Sequence, residues 1–313
     1  EFRRVLFRSL SPPVQDPYYA AVNLLGDSWT FLIVREAFFG AKRFQDFCDS
    51  LVISRARLTE RLKHLVEAGI FEKHQYHKSP PRFEYHLTEK GLAIYPIALS
   101  LIAWGEDWRW RPGASQLYHR PCGQPLRTKV VCAHCGDPIR FDDIDWPEHL
   151  SLESSISHSD GVRGWRKMAS FDDISQRVDP AVETLKAVGD RWSMLITFLA
   201  MRSEFRFREI QSKLGLADNI LSDRLKQLVR EGILERTNRG RQAPYRLTES
   251  GRGLLDNILV MRSWAMQWVK LEEEKWSKLT HQTCGHDIQV VCKCAHCNEH
   301  IHPHDVSDRK SVV

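Results

Sequence analysis

Apolar positions along the chain follow a series of patterns that runs through twice. In "LTERLKHLVEAGI", residues 58–70, leucine and valine recur at 58, 62, 65 and 66, the three- and four-residue spacing of one helix face. "LSDRLKQLVREGI", residues 221–233, repeats the stripe 163 positions further on (58 to 221), at 221, 225, 228 and 229. Each stripe predicts a helix buried on one side. Thr59, Arg61 and Lys63, or Ser222, Arg224 and Lys226, are left on flanking or outer faces. Gly69 and Gly232 stand where such a helix would stop in a left-handed cap. Upstream, Asp16-Pro17 and Asp179-Pro180 each combine an N-cap with proline at the first helical position. Two more apolar-periodic segments follow in the first copy, at 26–40 and 43–51. Cys48 lies among Phe44, Phe47 and Leu51 of the second segment and reads as a core residue.

Downstream of each stripe come a short strand, a basic turn, a second strand and another helix. Residues 71–88 form the first turn region, with Lys78 and Arg82 around a Ser-Pro-Pro tip that cannot donate to a ladder throughout. The second is three residues shorter and carries Arg239, Gly240 and Arg241 at its tip. After "YHLTEKG" a long helix is expected from Thr88 to about Trp110. It bears Trp104 and Trp108 four apart, matched by Trp264 and Trp268. Such a stripe could line an effector pocket, but packing of one helix on another is the more ordinary use. Helix, strand, basic turn, strand, helix is the order of a winged helix-turn-helix, in which the striped helix is the one offered to DNA.

The expected fold is therefore α+β and mainly helical, with winged-helix domains at 10–112 and 179–276. Its 313 residues suit about two domains, and 42% hydrophobic with 27% charged residues suits a globular chain. No apolar run approaches the ~20 residues needed to cross a bilayer. A net charge of +5 permits a nucleic-acid partner without requiring one. Residues 1–9, "EFRRVLFRS", and 308–313, "DRKSVV", back-translate to sequencing-adapter DNA and are set aside as artefacts, so the basic start is not a targeting signal. The chain is expected to be cytoplasmic, where clustered cysteines read first as metal ligands rather than disulfides.

Seven of the eight cysteines lie in two such clusters. His119-x2-Cys122-x9-Cys132-x2-Cys135 recurs with identical spacing as His281-x2-Cys284-x9-Cys294-x2-Cys297. Two ligand pairs separated by a hairpin-length segment can meet at one tetrahedral point, as in a zinc ribbon. Each copy is expected to hold one structural Zn2+, about two per chain, in modules at 113–142 and 277–307. Three thiolates and an imidazole leave no open position for catalysis. The opposing reading is free or redox-active thiols. His134 and His296, inside the Cys-x2-Cys turns, are alternatives to His119 and His281. Cys292 faces Val130 in the alignment and is left out, and His286, His300, His302 and His304 read as surface residues. Residues 143–178, rich in acids and serine, read as a linker that Trp146 and Ile156 could partly order.

"GDSWTFLIVREAFFGAKRFQDF", "LTERLKHLVEAGI" and "PPRFEYHLTEKG", with "GDRWSMLI", "LSDRLKQLVREGILER" and "YRLTESG" in the second copy, resemble the HxlR-type winged-helix transcriptional regulators. The resemblance implies a bacterial regulator that binds operator DNA through paired recognition helices and wings. Two units in one chain would act as a covalent pseudo-dimer, monomeric in solution. Some members carry a reactive cysteine before the first helix; Asp16 and Asp179 stand there, so a thiol switch at that place is not supported. A small-molecule effector is left open.

The expected DNA contacts are Ser54, Arg55, Arg57, Thr59, Lys63, Lys78 and Arg82 in the first copy, and Asn219, Ser222, Lys226, Arg239 and Arg241 in the second. Asp218 and Ile220 replace Arg55 and Arg57, so the first copy is expected to supply most base discrimination. The rival classes are a metal- or redox-responsive sensor and a protein-interaction module. An enzyme is not expected, since the chain has no glycine-rich phosphate loop, nucleophile motif or open metal site.

Overall fold

The structure, a computed structural model, describes residues 16–109, 116–147, 180–237, 243–270 and 276–308. In the first repeat, α1 (Pro17–Leu25), α2 (Ser28–Phe38), α3 (Phe44–Ser50) and α4 (Arg55–Glu67) precede a hairpin of β1 (Phe71–Lys78) and β2 (Pro81–Leu87). The starts are set locally. Asp16 accepts from the Tyr18 amide, Asp27 from Trp29 and Ser54 from Arg57, each satisfying an otherwise orphaned N–H. Leu58, Leu62 and Leu65 of α4 are buried, and Gly69 closes the helix at φ 69°.

The long helix expected after Thr88 is two helices, α5 (Glu89–Leu92) and α6 (Tyr95–Arg109). Thr88 Oγ1 donates to the Gly69 carbonyl at 2.6 Å and Lys90 Nζ to that of Ala68 at 2.9 Å, tying α5 to the end of α4. Gly91 sits so close to the Ile70 carbonyl that a Cβ would collide with it. The chain then turns at Ala93 and Ile94, and α6 leaves in a new direction, towards the other repeat.

Next come β3 (Leu117–His119), β4 (Gln124–Pro125), β5 (Thr128–Cys132) and β6 (Ile144–Asp145). The second repeat runs α7 (Pro180–Val188), α8 (Arg191–Ala200), α9 (Phe207–Leu214), α10 (Asp218–Arg230), β7 (Leu234–Arg236), β8 (Tyr245–Leu247), α11 (Glu249–Arg252) and α12 (Leu255–Trp268). It closes with β9 (Thr280–His281), β10 (Val290–Cys294) and β11 (Val306–Asp308).

The repeats are related by an approximate twofold axis. Asp27 bridges Asp190, its own counterpart, and in the β5–β10 pair Val130 faces Cys292, again its counterpart. Away from the axis the contacts come in reciprocal pairs: α1 packs on α12, and α6 on α7. Trp104 Nε1 donates to the Ser250 carbonyl at 2.8 Å, and Trp264 Nε1 to that of Lys90 at 3.2 Å. Gly105 lets α6 approach α7 so closely that any Cβ would strike the Pro180 backbone. The paired tryptophans thus pack helix on helix across the repeats, and one hydrophobic core runs through both. A chain half cut from the other would expose this shared core.

Candidate metal centres and nucleic-acid interface

Each ligand pair sits on a tight turn. Gly123, Gly136, Gly285 and Asn298, one residue after the second ligand, adopt φ of 66°, 79°, 72° and 67°. Their amides donate back to the carbonyls of His119, Cys132, His281 and Cys294. That left-handed residue is what turns a three-residue spacing into two side chains aimed at one point. It was visible in the sequence as Cys-Gly after three of the four pairs.

The pairs do not combine within a repeat, as the sequence reading expected. His119 and Cys122 meet Cys294 and Cys297, while Cys132 and Cys135 meet His281 and Cys284. In each group the four ligand atoms lie within 4.8 Å of one another. The strands explain the exchange. β5 pairs with β10, β3 with β11 and β6 with β9, so each small module takes its first ligand turn from one repeat and its second from the other. The modules at 113–142 and 277–307 are therefore not separate units. β6, assigned to the linker, is also a module strand, and Trp146 beyond it stands 6.2 Å from the Phe198 ring.

Within the first group, His119 Nδ1 is 3.3 Å from Cys122 Sγ and 3.4 Å from Cys297 Sγ, with Cys122 and Cys294 Sγ 3.9 Å apart. In the second, His281 Nδ1 is 3.4 Å from Cys284 and 3.5 Å from Cys135, with Cys132 and Cys284 3.9 Å apart. A tetrahedral ion with ordinary zinc–sulfur and zinc–nitrogen bonds requires S···S of about 3.8 Å and N···S of about 3.5 Å. Both groups could hold a metal ion. Burial works against the Cys132 thiolate, but the amides of Cys135 and His134 hold the thiol below its ordinary value. Cys294 is lowered likewise, against burial, by the amides of Cys297 and His296. At Cys135 the Asp137 amide favours the thiolate, yet burial and the crowding sulfurs of Cys132 and Cys284 push it up to about 11. Mutual repulsion of this kind is what a shared cation removes. His134 instead packs on the ring of His286, 3.3 Å between centroids, and His296 is outside both groups.

The helix that the stripe marks lies at the surface in each repeat. Arg55 is exposed at the start of α4, where its guanidinium donates to Gln45 at 3.0 Å, and Ser54, Thr59 and Lys63 are exposed beside it. Arg57 is half-buried, 5.9 Å above the Trp29 ring. Lys78 and Arg82 are exposed at the end of the β1–β2 wing. On α10, Asn219 and Lys226 are exposed and Ser222 is half-buried; Arg239 and Arg241 lie outside the described residues.

Two features correct the expectation for these helices. Arg61 and Arg224 do not point outward: Arg61 Nε is 2.6 Å from Asp27 and Arg224 Nε 3.1 Å from Asp190, the two aspartates on the axis. They hold α4 and α10 on either side of it. Burial raises the Asp27 carboxyl, and Arg61 partly opposes that. Asp218, where the first repeat has Arg55, is not a bare negative charge either, because exposed Arg208 stands 3.7 Å away. The first repeat has Gln45 at the Arg208 position, so the cation has moved from the recognition helix to the helix before it. Sequence alignment of the recognition helices alone could not show that.

Comparison with known proteins bears on the helix-turn-helix part of each repeat. The HxlR-like helix-turn-helix family model matches residues 24–112 and again 187–273. HTH-type transcriptional regulator Rv3095 of Mycobacterium tuberculosis is 40% identical over 121 residues, 38% of this chain and 77% of that protein. HTH-type transcriptional regulator YodB of Bacillus subtilis is 34% identical over 90 residues, 28% of this chain and 80% of that one. Among solved structures, a transcription-factor candidate, PA1607, is 36% identical and covers 41% of this chain and 91% of its own, with a TM-score of 0.37.

Proposed function

The chain belongs to the HxlR-like helix-turn-helix family, twice over, and is a transcriptional regulator rather than an enzyme; from that premise we propose that it binds one operator as an intrachain pseudo-dimer. What supports this above all is the twofold relation centred on Asp27 and Asp190, which sets α4 and α10 on either side of one axis. Two recognition helices about a twofold are matched to two half-sites of a duplex. Fusion of the two units removes most of the entropic cost of assembling them.

In this reading Arg55, with Ser54, Arg57 and Thr59, reads base edges at the first half-site, while Lys63, Lys78 and Arg82 contact phosphates. In the second repeat Asn219, Ser222 and Lys226, with Arg239 and Arg241 of the wing, hold the duplex more generally. Arg208 joins them as a phosphate contact. Each Cys3His group holds a structural Zn2+, and since each is shared, the two ions fasten the halves together. Zinc fits the donor set because soft thiolates with one imidazole in a closed tetrahedron suit it.

Selection of bound duplexes from a random pool with purified protein tests the reading. The expected product is one site with two unequal half-sites, the better defined one lost in Arg55→Ala. Recovery of no preferred duplex across a salt series would overturn it.

A further inference from the structure

The two halves differ where the helices meet the exchanged strands, and a cleft lies on one side. A cleft of about 1240 Å3 lies between the α5–α6 turn of the first repeat, α12 of the second and the strands around β10. Its lining includes Tyr95, Val260, Trp264 and Cys292, all buried, and Leu92 at its mouth is 46% exposed. On the opposite side of the twofold, the corresponding positions are tied together by charged and aromatic contacts. Arg127 there bonds Glu106 at 3.0 Å and approaches Asp107 at 3.6 Å, and the Arg252 guanidinium lies 5.1 Å over the Phe141 ring. In the cleft those five positions hold Gln289, Met266, Gln267, Leu92 and Pro303. Every charge that ties the far side together has been replaced by an uncharged group. A simple loss of packing would not remove all of them at once while retaining Trp264.

Among the described lining residues, the charge left without an ionic partner is cationic; Asp256 and Asp305 lie near Cys292 and Tyr95 but outside the lining. Asp287, the acid in its lining, is spent internally: it takes Arg262 at 3.1 Å and the Leu279 amide at 3.0 Å. Arg262 is itself fully buried and also donates to the Ser277 and Ile288 carbonyls. His304 stands 3.3 Å from Asp305 and is committed there. That leaves Lys278, exposed on the rim, with His300 and His302 exposed nearby. An apolar, aromatic-lined recess with a cation at its edge suits a planar hydrophobic body carrying one anionic group.

We infer that this cleft is a binding site for a small aromatic carboxylate, its ring against Trp264 and Tyr95 and its carboxylate at Lys278. Such a ligand touches α5–α6 of one half and α12 of the other, so it acts on the relation between the two halves. This regulatory consequence rests on the reading of the protein as a DNA-binding regulator; the binding itself does not.

The test is calorimetric titration of the full chain with 2-naphthoate, and with uncharged 2-naphthamide as its isostere. One naphthoate is expected to bind per chain, with Kd below about 1 mM, and the amide about tenfold more weakly. Lys278→Gln should weaken naphthoate about tenfold and leave the amide unchanged. The double change Leu92→Arg with Pro303→Phe copies the closed side and should abolish binding at unchanged circular dichroism. Should that variant misfold, Gln267→Trp, at an exposed cleft position, serves the same purpose. Absence of saturable naphthoate binding, equal binding of the amide, or undiminished binding by the folded cleft-filling variant would each overturn the site. A protein that takes up naphthoate but selects no duplex refutes the regulator reading alone; one that selects a duplex but ignores naphthoate refutes the cleft alone.

Discussion

At the level of single residues, charge placement decides more than charge count. Asp256 on α12 is pushed up to about 6, first by burial and then by the Asp107 carboxylate. A carboxyl whose folded value exceeds its unfolded one holds its proton more tightly when folded. It therefore costs stability as pH rises from about 4 to about 6, and the full cost stands at pH 7. Asp256→Asn should stabilise the protein by on the order of 2 kcal/mol at pH 7, a melting shift of several degrees, and by nothing below about pH 4. Thermal melts across that range check both magnitude and sign. Cys292 beside it is pushed up to about 12 by burial and by Asp256, so it should resist alkylation in the folded protein. For DNA, Arg55→Ala should cost about 1–3 kcal/mol at one half-site and relax its sequence, whereas Arg241→Ala should weaken all duplexes alike and lower the salt slope by about one. Competition binding with point-mutated operators separates the two. A relaxed sequence from the Arg241 change alone would reverse the assignment.

Among the elements, the exchanged strands carry a consequence that metal stoichiometry can read. If Cys122 shares its ion with Cys294, removing both empties one centre and leaves the other. Cys122→Ser with Cys294→Ser should therefore retain about one zinc per chain, while Cys122→Ser with Cys132→Ser should retain none. Grouping within each repeat predicts the reverse for both pairs, so elemental analysis of the two double variants discriminates cleanly. The winged helices should keep their helical signal in either case, because α1 to α5 and their counterparts draw chiefly on the leucine, isoleucine, valine and aromatic side chains of the shared hydrophobic core. The cost should fall on the junction between halves.

For the molecule as a whole, the reciprocal packing of α1 on α12 and α6 on α7 already joins the recognition units, so no second copy is needed to complete the twofold. Light scattering should give one chain of 36.4 kDa, with and without operator. An obligate dimer of chains would count against it. If metal at the shared Cys3His groups fastens the two halves, chelation should lower operator affinity more than it lowers helix content. No described helix is long and apolar enough to cross a membrane.

The sequence by itself determined everything that depends on neighbours along the chain. The leucine stripe of α4, the cap at Asp16, the Gly69 turn and the duplication were legible because period and capping are local. So were the ligand types, and with them the chemistry of the candidate metal centres. The family resemblance rests on the same local patterns. What only the tertiary structure decided is which copies of these features meet. Two identical ligand spacings serve equally for closure within a repeat or across repeats; the β5–β10 pairing and the packing of α6 on α7 choose the second. Arg61 and Arg224 look outward in a helical projection, and turn inward only because Asp27 and Asp190 are brought to a common axis. The cleft arises in the same way. Leu92, Met266, Gln289 and Pro303 are far apart in the chain and unremarkable there, and become a site because an approximate twofold sets them opposite their charged counterparts.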